Sequence, residues 1–274
     1  MIGWHDTGRT ALRYDLTGEG ETLVLVHEMG GTLESWDFVL PDLAPGRRIL
    51  RYDTRGAGQS EKARGILTLS EMTTDLADLL DGLTIPGKIT LAGCAVGAAI
   101  VLQFALDHPD RCAALVVMAP ATGIPPDRQA ATLARADAVE QAGMRAIVEE
   151  SFANSYPPEL RQDAARFATF RARWLAGDPA SYAAIYRMLA ASSLSAGLPD
   201  IACPTLVIAG TLDRLRPPSS VRPVAQAIPD ARFLQLETGH FMATQTPAQV
   251  AVAINAFFAE TRRINAKAAP AQPG

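Results

Sequence analysis

Short apolar runs recur along the chain and are separated by stretches whose apolar positions repeat at helical spacing. Thr22 to Val26, Arg48 to Tyr52, Ile89 to Ala92, Ala113 to Met118, Pro204 to Gly210 and Ala231 to Leu236 read as strands. Runs without polar alternation are the mark of strands covered on both faces. Thr10 to Leu16 is expected to begin the sheet as an antiparallel edge. Leu69, Met72, Leu76, Leu79, Leu80 and Leu83 line one face of a helix. It opens on Thr68-Leu69-Ser70-Glu71, a capping box in which threonine and glutamate satisfy each other's backbone amides. Val96 to His108 forms a second helix, and Thr246-Pro247 starts a last one with Val250, Ile254, Phe257 and Phe258 inward. This alternation predicts an α/β fold: a mostly parallel, eight-stranded sheet flanked by helices.

Thr122 to Leu198 breaks the alternation, with helical patterns and no convincing strand. It is too long for a loop inside a compact domain and reads as an inserted helical cap. The expected division is therefore a core of residues 1–121 and 199–262, a cap of 122–198 and a flexible tail of 263–274. Phe167, Phe170, Trp174, Tyr182, Tyr186 and Met188 could wall a pocket, although most are expected to join cap to core.

Bulk properties narrow the function by exclusion. The 274 residues are 48% hydrophobic and 20% charged, as in an ordinary globular protein. A formal net charge of −4 offers no footprint for nucleic acid or anionic lipid. No uninterrupted apolar window is long enough for a membrane span, and Met1 to Asp6 lacks the start of a signal peptide. Cys94, Cys112 and Cys203 read as reduced, buried thiols. The expectation is a cytoplasmic monomer or homodimer acting on a small molecule, with no cofactor and no metal.

The chemistry concentrates at four turns. Gly93-Cys94-Ala95-Val96-Gly97 lies between a strand and a helix, a nucleophile elbow of the G-x-S-x-G kind with alanine at the nucleophile position. Asp213 follows one strand and His240 another, in the order of a Ser, Asp, His set. The acid would fix the imidazole tautomer, and the histidine would move the nucleophile's proton. His27-Glu28-Met29-Gly30-Gly31 follows a strand at the place where enzymes with such an elbow carry a turn supplying one oxyanion-hole amide, so the Met29 and Val96 amides are the expected donors. His27 is expected to brace that turn, Asp53 and Arg55 to brace another through ion pairs, and His108 to serve a helix end.

With Arg51-Tyr52-Asp53-Thr54-Arg55-Gly56-Ala57-Gly58-Gln59-Ser60, Ala92-Gly93-Cys94-Ala95-Val96-Gly97, Gly210-Thr211-Leu212-Asp213 and Gly239-His240, the chain resembles the α/β-hydrolase superfamily over nearly its whole length. Within it the cap and C-terminal half are most similar to 3-oxoadipate enol-lactonases and related hydrolases of aromatic breakdown. Two positions depart from the pattern: Ala95 lacks the attacking oxygen, and Glu28 replaces the usual glycine, bringing a carboxylate toward the pocket.

The resemblance implies a hydrolase of a small ester, lactone or amide whose nucleophile is replaced by alanine. A naturally serine-free enzyme using His240 and Asp213 as a general base, and a non-catalytic binding protein, are the alternatives. Cys94 is a poor substitute nucleophile, because only the apex of an elbow projects into the site. Glu28, Trp36, Trp174 and Phe241 are the candidate substrate contacts. Arg135, Arg145, Arg161, Arg166, Arg171, Arg173 and Arg187 could supply a clamp for a substrate carboxylate.

Overall fold

The computed structural model of the chain describes residues 1–268. Eight strands form one sheet: β1 (Ile2–Asp6), β2 (Ala11–Thr17), β3 (Glu21–Val26), β4 (Arg47–Tyr52), β5 (Ile89–Cys94), β6 (Cys112–Met118), β7 (Thr205–Gly210) and β8 (Ala231–Leu236). Their spatial order is β1-β2-β4-β3-β5-β6-β7-β8. β1 with β2 and β2 with β4 run antiparallel, and every later pair is parallel. The edge differs from expectation. β1 lies outside β2, and its burial alternates between exposed and half-buried, so it carries no continuous apolar run to reveal it.

The described residues also form ten α-helices: α1 (Leu40–Leu43), α2 (Leu69–Gly82), α3 (Val96–Asp107), α4 (Pro126–Ala142), α5 (Val148–Ser155), α6 (Ala164–Leu175), α7 (Pro179–Ala191), α8 (Pro218–Ala227), α9 (Met242–Gln245) and α10 (Pro247–Ala268). Period-2 geometry sends alternate strand residues to opposite faces. Val24 and Val26 of β3 accordingly pack with α2, α3 and α8, through Leu76, Leu80, Val101 and Val221. Leu23 and Leu25 turn the other way, onto Val250, Ile254 and Phe257 of α10. Helix α10 continues to Ala268, into the stretch expected as a tail from residue 263; residues 269–274 lie outside the described residues. No described helix is long and apolar enough to cross a membrane.

Between β6 and β7 lie α4 to α7, and none of this stretch joins the sheet. The stretch leaves and returns at one point: Leu194 N–H donates to Thr122 O at 2.9 Å, beside an antiparallel bridge between Gly123 and Ser193. It holds a third apolar cluster of its own, built on Val139, Phe152, Tyr156, Phe170, Trp174 and Tyr182.

Candidate active site

Because β5, β6, β7 and β8 are parallel neighbours, the residues that follow their C-terminal ends meet at one edge of the sheet. Ala95 occupies the single position between β5 and α3, with φ 53° and ψ −109°. That backbone is strained for any residue with a Cβ, at a cost of about 1–3 kcal/mol. Both flanking glycines are needed sterically. A Cβ on Gly93 would stand 2.3 Å from Gly97 O, and one on Gly97 would stand 2.2 Å from Val26 O. The turn is held by Ala95 N–H to Met118 O at 2.9 Å and Ala121 N–H to Ala95 O at 3.1 Å. Ala95 is buried.

Asp213 and His240 form a close pair, with His240 Nδ1 donating to Asp213 Oδ2 at 2.7 Å. Two backbone amides, those of Leu215 and Arg216, donate to Asp213 Oδ1 at 2.9 Å each. Burial alone would raise the aspartate's pKa, but the histidine and these amides outweigh it and hold the carboxyl below its usual range. With Nδ1–H committed to an ionised carboxylate, Nε2 is left as the basic nitrogen. His240 is anchored by its backbone too: its N–H donates to Ser155 O at 3.1 Å, and its carbonyl accepts the Cys94 thiol at 3.3 Å. The second contact ties the histidine to the residue preceding Ala95. It also occupies Cys94, whose thiol burial and the nearby charges of Glu28 and Asp213 hold well above its usual pKa. Cys94 is therefore no nucleophile.

The turn after β3 is braced as the sequence suggested. His27 Nδ1–H donates to Glu28 O at 2.7 Å, and its Nε2 accepts the Thr54 N–H at 3.0 Å, which fixes one neutral tautomer. Gly31 N–H closes the turn onto Glu28 O at 2.9 Å. Among the described residues, neither the Met29 nor the Val96 N–H has an acceptor. Val96 is the first residue of α3, where a free donor is the rule. Asp53 accepts from Leu33 N–H at 2.7 Å and Gln59 N–H at 2.8 Å, while Arg55 grips Asp75 through two bonds.

Two candidate contacts are corrected. Glu28 does not reach into open space: it is buried, and its Oε1 accepts the Ser35 hydroxyl at 2.7 Å. Trp36 is fully buried among Leu25, Val39 and Met242, because the turn at Leu33–Trp36 directs the indole between the sheet and α9–α10. Trp174 and Phe241 are placed otherwise. Trp174 lies so close to Gly30 that a Cβ there would stand 2.4 Å from its ring. Phe241 packs at a tilt against Phe170, ring centroids 4.7 Å apart, and meets the His240 ring at 5.4 Å. Phe152 and Tyr156, missed in the sequence, belong to the same aromatic wall; the four-residue spacing of Val148, Phe152 and Tyr156 was the available signal. A cavity of about 240 Å³ opens beyond Gly30, lined by Arg13, Glu34, Gly58, Arg173, Asp178 and Tyr182. Ala95, Asp213 and His240 are not on its wall.

The arginine clamp is also corrected. Arg135, Arg166, Arg171, Arg173 and Arg187 pair with carboxylates of their own surroundings. Arg161 donates to Tyr156 O and Phe152 O, and Arg145 is exposed.

Comparison with known proteins agrees with this fold. The chain is 32% identical to the Variovorax paradoxus protein RutD, provisionally named a carbamate hydrolase, over 87% of this chain and 92% of that one. It is 26% identical to 3-oxoadipate enol-lactonase 2 of Acinetobacter baylyi, over 86% and 89% of the two chains. The crystal structure of the enol-lactonase from Burkholderia xenovorans superposes with a TM-score of 0.88 at 27% identity, covering 94% of this chain and all of that one. The sequence pattern of the serine aminopeptidase S33 family matches residues 18–239, and with the elbow, the Asp213–His240 pair and the eight-stranded sheet in place, the chain belongs to that family of α/β-hydrolases.

Proposed function

We propose that this site is built for acyl transfer from a small ester, lactone or amide, and that the chain with Ala95 binds such a substrate without cleaving it. One observation carries the reading: the elbow keeps its strained backbone, its glycines and its His240–Asp213 partner although the apex has no attacking atom. Strain maintained at a position with nothing to hold argues for a turn shaped by nucleophilic chemistry.

In this reading a serine at position 95 would attack the carbonyl. His240 Nε2 would take its proton, and Asp213 would steady the imidazolium. The free Met29 and Val96 amides would receive the oxyanion, worth about 2.7–4 kcal/mol per donor in such sites. The acyl-enzyme would then be released by water, with His240 again the base. The aromatic wall of Phe152, Trp174 and Phe241 supports an apolar acyl or ring portion, and residues 122–198 would act as the cap that admits it. The resemblance to enol-lactonases supports a carboxylate-bearing substrate of aromatic breakdown. Three free, buried cysteines support a reducing, cytoplasmic setting.

Ala95→Ser is expected to create hydrolysis of p-nitrophenyl acetate and of small lactones. Adding His240→Ala should remove about 10⁴-fold or more of that rate. A second reading, in which His240 and Asp213 abstract a substrate proton and no nucleophile is needed, fits the lack of an attacking atom at Ala95 beside an intact His240–Asp213 pair. An inert serine variant, with turnover of an acidic C–H substrate by the unaltered chain, would establish that second mechanism in place of the first.

A further inference from the structure

A chain of contacts links the elbow, the Asp213–His240 pair and Arg216. Cys94 Sγ donates to His240 O at 3.3 Å, His240 Nδ1 to Asp213 Oδ2 at 2.7 Å, and Arg216 N–H to Asp213 Oδ1 at 2.9 Å. The Arg216 side chain then turns across to Gly123, its Nη2 lying 3.3 Å from Gly123 O. Two residues before Gly123, Ala121 N–H returns the circuit to Ala95 O at 3.1 Å. The loop that carries Arg216 is thus tied by hydrogen bonds both to the Asp213–His240 pair and to the strand end beside the elbow.

Arg216 is unlike the other arginines of this region. Five of those in the helical segment pair with Glu150, Asp163, Glu149, Asp37 and Asp137. Among the described residues no carboxylate pairs with the Arg216 side chain, and its one hydrogen bond is long and goes to a neutral carbonyl. Its half-buried charge is also poorly compensated. Burial holds its pKa below the usual arginine value, with Asp213 pulling it up and Arg128 pushing it down. A planar guanidinium has five N–H donors in a fork that matches a carboxylate, and here most of the fork is unspent.

We infer that Arg216 is the specificity-determining residue of this site, reading a carboxylate on the substrate at the end opposite the acyl carbon. The inference rests on the acyl-substrate reading above and names the group that anchors the substrate. It transfers the expected carboxylate clamp from the helical segment, most of whose arginines are paired, to the loop that carries Asp213. The carboxylate would displace the long bond to Gly123 O and take two parallel N–H bonds.

The test uses the unaltered chain and matched probes. Monomethyl succinate, monomethyl glutarate and 5-oxotetrahydrofuran-2-carboxylate are each compared with the corresponding primary amide by titration calorimetry. At least one acid should bind tenfold or more tightly than its amide. Arg216→Met should erase that preference while leaving amide affinity within about twofold, and Arg216→Lys should keep part of it, as a point charge without the fork. A residue that merely braces Gly123 would weaken acid and amide alike. The assignment is overturned if no acid outbinds its amide in the unaltered chain, or if the preference survives in Arg216→Met; should Arg216→Met fail to fold, full retention in Arg216→Lys overturns it. Failure of the acyl-transfer reading is seen separately, since p-nitrophenyl acetate carries no carboxylate and its cleavage by Ala95→Ser does not depend on Arg216.

Discussion

At the strand ends, side chains are tied by directional bonds of 2.7 to 3.0 Å, as in His240–Asp213 and His27–Thr54. The helical segment meets the same place through ring contacts at 4.7 to 6.5 Å between Phe170, Phe241, Phe152 and Tyr156. The first region tolerates little displacement, because a hydrogen bond weakens steeply when its angle is lost. The second has no such requirement: burial is non-directional, and rings can slide while remaining covered. In the proposed reading, chemistry falls to the hydrogen-bonded region and selection of the apolar part of the substrate to the adaptable one. Arg216 and Gly123 form a polar link between them.

The sharpest way to break this contrast is Trp174→Ala. The side chain is almost wholly buried against Gly30 and Tyr182, so its loss should cost about 3–5 kcal/mol. Hydrogen exchange should locate that loss in residues 126–191, with amides of β5 to β7 still protected. Equal loss of protection in the sheet would mean that the two regions are one cooperative unit.

Acid should act on the directional region first. The Asp213 carboxyl is held below its ordinary pKa by His240 and backbone amides, after a burial cost. Glu34, against its own burial cost, is brought to about 2 by Arg13 and Thr32. Both groups bind protons less readily folded than unfolded, so their stabilisation is complete above the ordinary carboxylate range. It should drain away as pH falls from about 4.5 toward 2. Denaturant titrations across that interval check the sign, and Asp213→Asn should flatten part of the slope. Stability that rises on acidification would contradict the assignment.

The smallest effect sharpens the comparison at the elbow itself. Ala95→Gly removes the Cβ from a backbone at φ 53° and should raise stability by about 1 kcal/mol, read as a shift in denaturation midpoint. A loss instead would mean that the Ala95 methyl contributes more to its apolar cluster than the turn costs.

Much of the fold was legible because its signals are local. Ile89–Ala92 and Ala113–Met118 are buried on both faces and so read as unbroken apolar runs, and Gly93 and Gly97 mark a turn that only glycine permits. Thr68 and Glu71 carry their own helix start. Edge strand β1 was not legible, since its pairing with β2 supplies what its pattern lacks. The order of Ala95, Asp213 and His240 was likewise written in the chain, because parallel strands send their following loops to one edge whatever the surroundings.

What the sequence could not determine is where a side chain ends when several partners compete for it. Glu28 faces Ser35 rather than a pocket, and Trp36 sinks between sheet and helix. Five of the eight arginines in residues 122–198 pair with carboxylates of their own neighbourhood, while Arg216 is left with a carbonyl. Periodicity and motif spacing encode backbone geometry, which a few neighbouring residues dictate. The direction of a long side chain depends on charges and surfaces distant in sequence, and these meet only once the strands and helices have packed.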